Sequence, residues 1–160
     1  TTSSVASVSG AVSPNYLQTT DAYREYFSHL TENGVFHVNH HVYPKMVLTA
    51  ARAWKEMGLK DFERHVLIYY APRWYNLPTF LVKNSPWTKK EFDRVNEMMA
   101  PGNFKLIHNP MAPASSVLDP AFITGTLPDN LVEQIPFRMD VPTDDKPFFY
   151  HLRNSLPPGL

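Results

Sequence analysis

The sequence predicts an α/β domain on a partly parallel sheet that includes an antiparallel hairpin. Three observations carry that expectation. Helix-like and strand-like apolar periodicities alternate between residues 19 and 108. Two strand-like runs, 65–70 and 79–83, lie close enough together to read as a hairpin, with Pro72 in the intervening loop. Beyond residue 100 the texture changes, because residues 101–160 hold 10 of the 15 prolines. Domain boundaries follow from that change: 1–110 as the α/β part, and 111–160 as a Pro-rich tail packed on the same domain.

Each element has a local reason. Residues 1–18 are small and polar and read as a loop or a weak first strand, with a turn at Pro14 and Asn15. A helix is expected over 21–30, capped by Thr19 or Thr20. Ala22, Tyr23, Tyr26, Phe27 and Leu30 fall on one stripe of it. Val35 to Asn39 reads as a strand buried on both faces. A second helix starts at Pro44, buries Val47, Ala50, Ala51 and Trp54, and stops at Gly58. The helix from Thr88 to Met99 opens with a capping box, Thr88 and Glu91. A last strand is expected over 104–108. In the tail, a short helix is expected near 129–134. Phe122, Ile123, Leu131, Ile135, Phe137, Phe148, Phe149 and Tyr150 are too many apolar groups to leave in water.

Composition removes several function classes. Fifteen basic residues balance fifteen acidic ones, Lys89-Lys90 is the only adjacent basic pair, and the strands lack an aromatic and basic platform, which argues against nucleic acid. There is no cysteine, so thiolate metal sites and Cys nucleophiles are out. No G-x-S-x-G elbow supports a serine hydrolase. No apolar run approaches the roughly 20 residues that span a bilayer. The chain does not begin with Met, which reads as a fragment or processed product of unknown compartment.

A set of motifs, in order, resembles the spermidine-synthase-like, class I S-adenosylmethionine-dependent methyltransferase-like family. Ser13-Pro14-Asn15-Tyr16-Leu17, Thr20 and Ala22-Tyr23-Arg24-Glu25-Tyr26 are similar to the segment after strand four of that family. Leu30 to Phe36 resembles its approach to strand five. Thr79-Phe80-Leu81-Val82-Lys83-Asn84-Ser85-Pro86-Trp87-Thr88 is similar to a run in the larger, multi-spanning members. Pro142-Thr143-Asp144-Asp145-Lys146-Pro147-Phe148-Phe149 resembles their closing motif. The resemblance implies a Rossmann-like methyltransferase sheet, of which this chain supplies strands five to seven, the seventh antiparallel. It also implies a parent transferase that uses S-adenosylmethionine or its decarboxylated form and is membrane-associated with a cytoplasmic domain.

The departures are specific. No glycines form the G-x-G turn that holds such a cofactor. Spermidine synthases place a catalytic Asp just after strand four. Here that stretch reads Thr2-Ser3-Ser4-Val5-Ala6-Ser7, with no carboxylate before Asp21. The chain alone is therefore expected to be inactive and without a cofactor of its own. Two readings stand: a transferase half on the substrate side, or a non-catalytic interaction and scaffold domain on a transferase-like frame.

Candidate site residues follow. His37, His40 and His41 form H-x-x-H-H, a spacing that can serve a metal, but no third ligand completes it and no metal is expected. His40 and His41 lie where a strand exits, so a substrate-facing role is preferred to a metal. Tyr16 and Gln18 lie on a loop that resembles a cofactor or substrate lip, with a hydrophobic staple before the first helix as the plainer role of Tyr16. Trp74 and Tyr75 in the hairpin loop are aromatic candidates. Asp144 and Asp145 can form an acid pair, but flanking prolines favour a turn whose carboxylates cap backbone N–H groups, with Phe148 and Phe149 anchoring it. Finally, the strand at 35–39 is expected to expose an edge. The rest of the parent domain or a second copy would cover it, unless the Pro-rich tail does.

Overall fold

The computed structural model describes residues 14–40, 43–71, 78–135 and 138–149. Its elements are α1 (Thr20–Ser28), β1 (Val35–Asn39), α2 (Tyr43–Glu56), α3 (Phe62–His65), β2 (Val66–Tyr70), β3 (Pro78–Lys83), α4 (Lys89–Met99), β4 (Lys105–His108), α5 (Pro120–Thr124) and α6 (Asp129–Gln134). Short 3-10 turns sit at Tyr16–Gln18, Ala100–Gly102 and Pro113–Ser115. The chain is mixed α/β with a four-stranded sheet in the order β1-β3-β2-β4.

Every neighbouring pair in that sheet is antiparallel. The expectation of a partly parallel sheet fails at the level of pairing, for a topological reason. β1 and β2 point the same way and are joined through α2, as in a crossover. The reversed strand β3 lies between them, so they never bond. Leu81 pairs with His37 on one side and Leu67 on the other. The expected hairpin of β2 and β3 is present. β4 adds to the far edge of β2 with a bulge between Ile68 and Tyr69.

Alternation on the strands makes two cores. Val66, Ile68, Phe80 and Val82 point into the larger one, among Tyr23 and Phe27 of α1, Met46, Val47, Ala50 and Trp54 of α2, and Phe122 and Ile123 of α5. Leu67 and Tyr69 point the other way, onto Trp87 and Phe92. Each fully buried large side chain of this kind stabilises the fold by about 1.5–3 kcal/mol. β2 is therefore buried on both faces. β1 is not, which corrects the expectation for it. Phe36 and Val38 are half-buried, while Val35, His37 and Asn39 are exposed. Among the described residues β1 has a strand on one side only, and no helix packs on its second face.

Local signals set the helix ends. Thr19 is the N-cap of α1, its hydroxyl accepting from the Ala22 N–H at 3.1 Å. At α4 both halves of the capping box form. α2 departs from a one-stripe helix: Lys45 through Ala51, with Ala53 and Trp54, are all buried, because sheet, α1 and α5 surround it. Gly125 explains the closeness of α5. A Cβ there would lie 2.9 Å from the Arg52 nitrogen and 3.0 Å from the Ala51 carbonyl carbon, and its φ is +71°. The helix at 129–134 forms as expected, whereas α3 and α5 carry no strong periodic signal and go unpredicted.

The segment after β4 joins the same large core through Leu118, Phe122, Ile123, Met139 and Phe149. Its backbone bonds go to β4, where the Val117 N–H meets the Ile107 carbonyl at 2.9 Å, and to the start of α1. There the Thr20 N–H meets the Pro142 carbonyl at 2.9 Å, and the Asn15 N–H meets the Pro147 carbonyl at 2.6 Å. The tail thus protects the β4 side and the lip; these bonds leave the β1 edge uncovered. No described helix is long and apolar enough to cross a membrane.

Candidate functional site

Three segments converge where the chain leaves β1: the lip at 15–19, the first turn of α2, and the tail at 138–149. The lip is folded by its own side chains. Asn15 Oδ1 accepts from the Leu17 N–H at 3.0 Å and starts the 3-10 turn. Tyr16 is left 57% exposed. Gln18 is buried, and its Oε1 accepts from the Tyr23 hydroxyl at 2.7 Å. Burial, with a smaller contribution from Tyr26, raises the Tyr23 pKa well above its ordinary value, so this hydroxyl stays a donor. The staple at α1 is therefore the polar pair Gln18–Tyr23, bridging the residue before the cap and the fourth helical position. Tyr16 is not the staple. It remains an open aromatic on the lip.

The tail grips that lip through Asp144. Thr19 Oγ1 donates to Asp144 Oδ1 at 2.6 Å, and the Asp144 N–H donates to Asp21 Oδ2 at 2.9 Å. Asp21 in turn pairs with Arg24, which reaches Glu56 at 3.0 Å. A bridge between Thr143 and Lys146 closes the turn that carries Asp144 and Asp145. The turn forms, but the carboxylate of Asp144 takes a side-chain hydroxyl rather than the expected backbone N–H. Asp145 is exposed beside it. The anchor is also narrower than expected, since Phe149 is fully buried and Phe148 is 43% exposed.

Phe149 brings His40 into the site. The two rings meet edge to face with centroids 5.1 Å apart, and His40 is buried. Lys45, in the first turn of α2, places Nζ 5.6 Å from the centroid of the same Phe149 ring. Its side chain is wholly buried, and among the described residues Nζ has no hydrogen-bond partner. Burial lowers its pKa; Asp140 works against that lowering and Arg138 with it.

The remaining candidates separate from this cluster. His37 is exposed on the far face of β1, 3.3 Å from Asn39. Among the described residues no group of His, Asp and Glu gathers as a metal centre. His41, Trp74 and Tyr75 lie outside the described residues. Two other buried histidines are structural: His65 Nδ1 meets the Lys83 carbonyl at 3.0 Å, and His108 bridges Ser116 at 3.0 Å and the Glu63 carbonyl at 2.8 Å. A hollow of about 300 Å³ lies at the other end of α2, lined by Trp54, Phe62, Ile123, Lys60, Asp61 and Glu63 among others.

Sequence reasoning named Tyr16, Gln18, His40 and the tail motif; the tail meets the lip at Asn15 and Thr19 and meets His40 at Phe149. That reasoning missed Lys45. The signal was present: a cation in the first turn of a helix opposes the helix dipole, and Lys45 stands there among Met46, Val47 and Leu48. No protein-family model, curated protein or solved structure matches this chain.

Proposed function

We propose that this chain is the substrate-side part of a spermidine-synthase-like, S-adenosylmethionine-type transferase domain with a Rossmann-like sheet, and that it is not catalytic by itself. The observation that carries the reading is the direction of the strands. β1 and β2 run the same way through the α2 connection, and β3 runs against both. That is the arrangement the resemblance implies for strands five, six and seven. The docking of the tail motif on the Asn15–Thr19 lip adds support, since both motifs belong to the same resemblance. In this reading the exposed ring of Tyr16 and the sheet edge near His40 face the ligand, and the rest of the parent domain pairs with β1. S-adenosylmethionine or its decarboxylated form would be held by that other part.

Calorimetric titration of S-adenosylmethionine, its decarboxylated form and methylthioadenosine into the longest polypeptide that contains this chain tests the proposal. Saturable binding that weakens in Tyr16→Ala is the expected result, with none for the 160-residue chain alone. No binding of any of the three to the longer polypeptide would sink it. A second reading, a non-catalytic interaction domain, is favoured by a different observation: Asp144, a carboxylate beside the lip, is already held by Thr19. Strand addition at β1, by a second copy or another polypeptide, is its signature.

A further inference from the structure

Lys45 is the third residue of its helix, and helical side chains lean back toward the helix start. Its ammonium ends against Phe149, whose ring touches His40 at the end of β1. The amine is therefore at the N-terminal end of α2, a helix of 14 residues with no acidic residue in its first turn. Backbone N–H groups at such an end carry partial positive charge and favour an anion. Here the position that usually holds Asp or Glu holds a lysine. Asp140 favours the ammonium and Arg138 opposes it, and these two are paired with each other at 3.0 Å. Among the described residues this fully buried amine, at the start of a long helix, has no hydrogen-bond partner, an arrangement that favours an added anion.

We propose that Lys45 and the N-terminus of α2 form a binding site for a compact oxyanion, the carboxylate or phosphate group of a small ligand, with Phe149 as its cover. The site sits where the chain leaves β1, beside the lip, and it does not depend on the transferase reading. Nζ is buried with the Phe149 ring 5.6 Å away, and the proposal has that ring swing aside to admit the anion.

Inorganic phosphate and acetate are the probes, titrated separately into the full chain by calorimetry at matched ionic strength. Saturable binding of one or both is expected, weakened at least about tenfold in Lys45→Met, because a charge-assisted hydrogen bond to the anion is removed. The tighter of the two names the source of the oxyanion, phosphorylated or carboxylated. A measurement on the unmutated protein guards against misfolding of the variant: in protein carrying 13C-labelled lysine, the Lys45 ε-carbon resonance should shift on saturation. Absence of saturable binding overturns the site. So does equal binding by Lys45→Met, or a Lys45 resonance unmoved by a bound anion.

Discussion

Lys83 and Lys45 are both buried, yet they sit in opposite circumstances. Lys83 ends β3 and reaches Glu91 in the first turn of α4, 2.8 Å away, with the Trp87 ring 6.0 Å off. Glu91 also closes the capping box with Thr88, so one carboxylate serves a lysine and a helix start together. The start of α4 has the acid that its dipole favours. The start of α2 has a lysine and no acid. One region is finished within the chain. The other leaves a buried amine without a hydrogen-bond partner among the described residues, which is what separates a structural ion pair from a candidate site.

The largest effect should come from the cover of the unfinished region. Phe149→Ala removes a fully buried ring from the large core and should lower unfolding free energy by about 3–4 kcal/mol in denaturant titration. A loss under about 1 kcal/mol would mean the tail does not hold the core shut. The two lysines should then respond with opposite sign. Lys83→Met leaves Glu91 without its main partner and should cost about 1–2 kcal/mol. Lys45→Met replaces an unpartnered buried amine by an apolar chain of similar length and should stabilise by about 1 kcal/mol. Destabilisation by Lys45→Met, measured without added anion, would show that the amine has a partner and would erase the contrast.

Acid should reveal the finished pair. The hydrogen bond from Lys83, then those from Thr88, hold the Glu91 carboxyl at about 2, against an ordinary value of 4.5. A carboxyl lowered in the folded state stabilises the fold above its unfolded pKa, and that contribution is lost as pH falls from there through about 2. The Glu91 side chain is 38% exposed, so solvent screening limits the effect to about 1 kcal/mol. Glu91→Gln should flatten that part of the stability profile between pH 4.5 and about 2, read by thermal unfolding across pH. A profile as steep as that of the unmutated chain would assign the acid sensitivity elsewhere.

What was legible in the sequence was local. The Thr88–Glu91 box lies within one helical turn, and β1 was bounded by Gly34 and by its own run of residues, so both came out where expected. What was not legible depended on distant chain. The neighbours of β1 fixed its burial, and with a strand on one side only among the described residues, Val35 stayed exposed. Lys45 was invisible to a stripe read on α2 because the ring its amine faces arrives about 100 residues later, at Phe149. The insertion of β3 between β1 and β2 had the same cause: alternation of helix and strand gives direction, but not which strands bond.

The smallest effect concerns the clasp that holds tail to lip, and it separates cap from clasp. Thr19 Oγ1 accepts from Ala22 as the N-cap of α1 and donates to Asp144. Thr19→Val loses both bonds and should cost about 1–1.5 kcal/mol. Asp144→Ala loses the clasp alone and should cost about 0.5–1 kcal/mol, since the residue is exposed. In a double-mutant cycle the two should couple by about 0.5 kcal/mol, because the second substitution finds one bond already gone. Additivity would mean the tail is held by Phe149 and the backbone bonds at Asn15 and Thr20 without help from this carboxylate. Asp144 would then be released from its structural duty, and the carboxylate beside the lip would become available for chemistry on a ligand bound there.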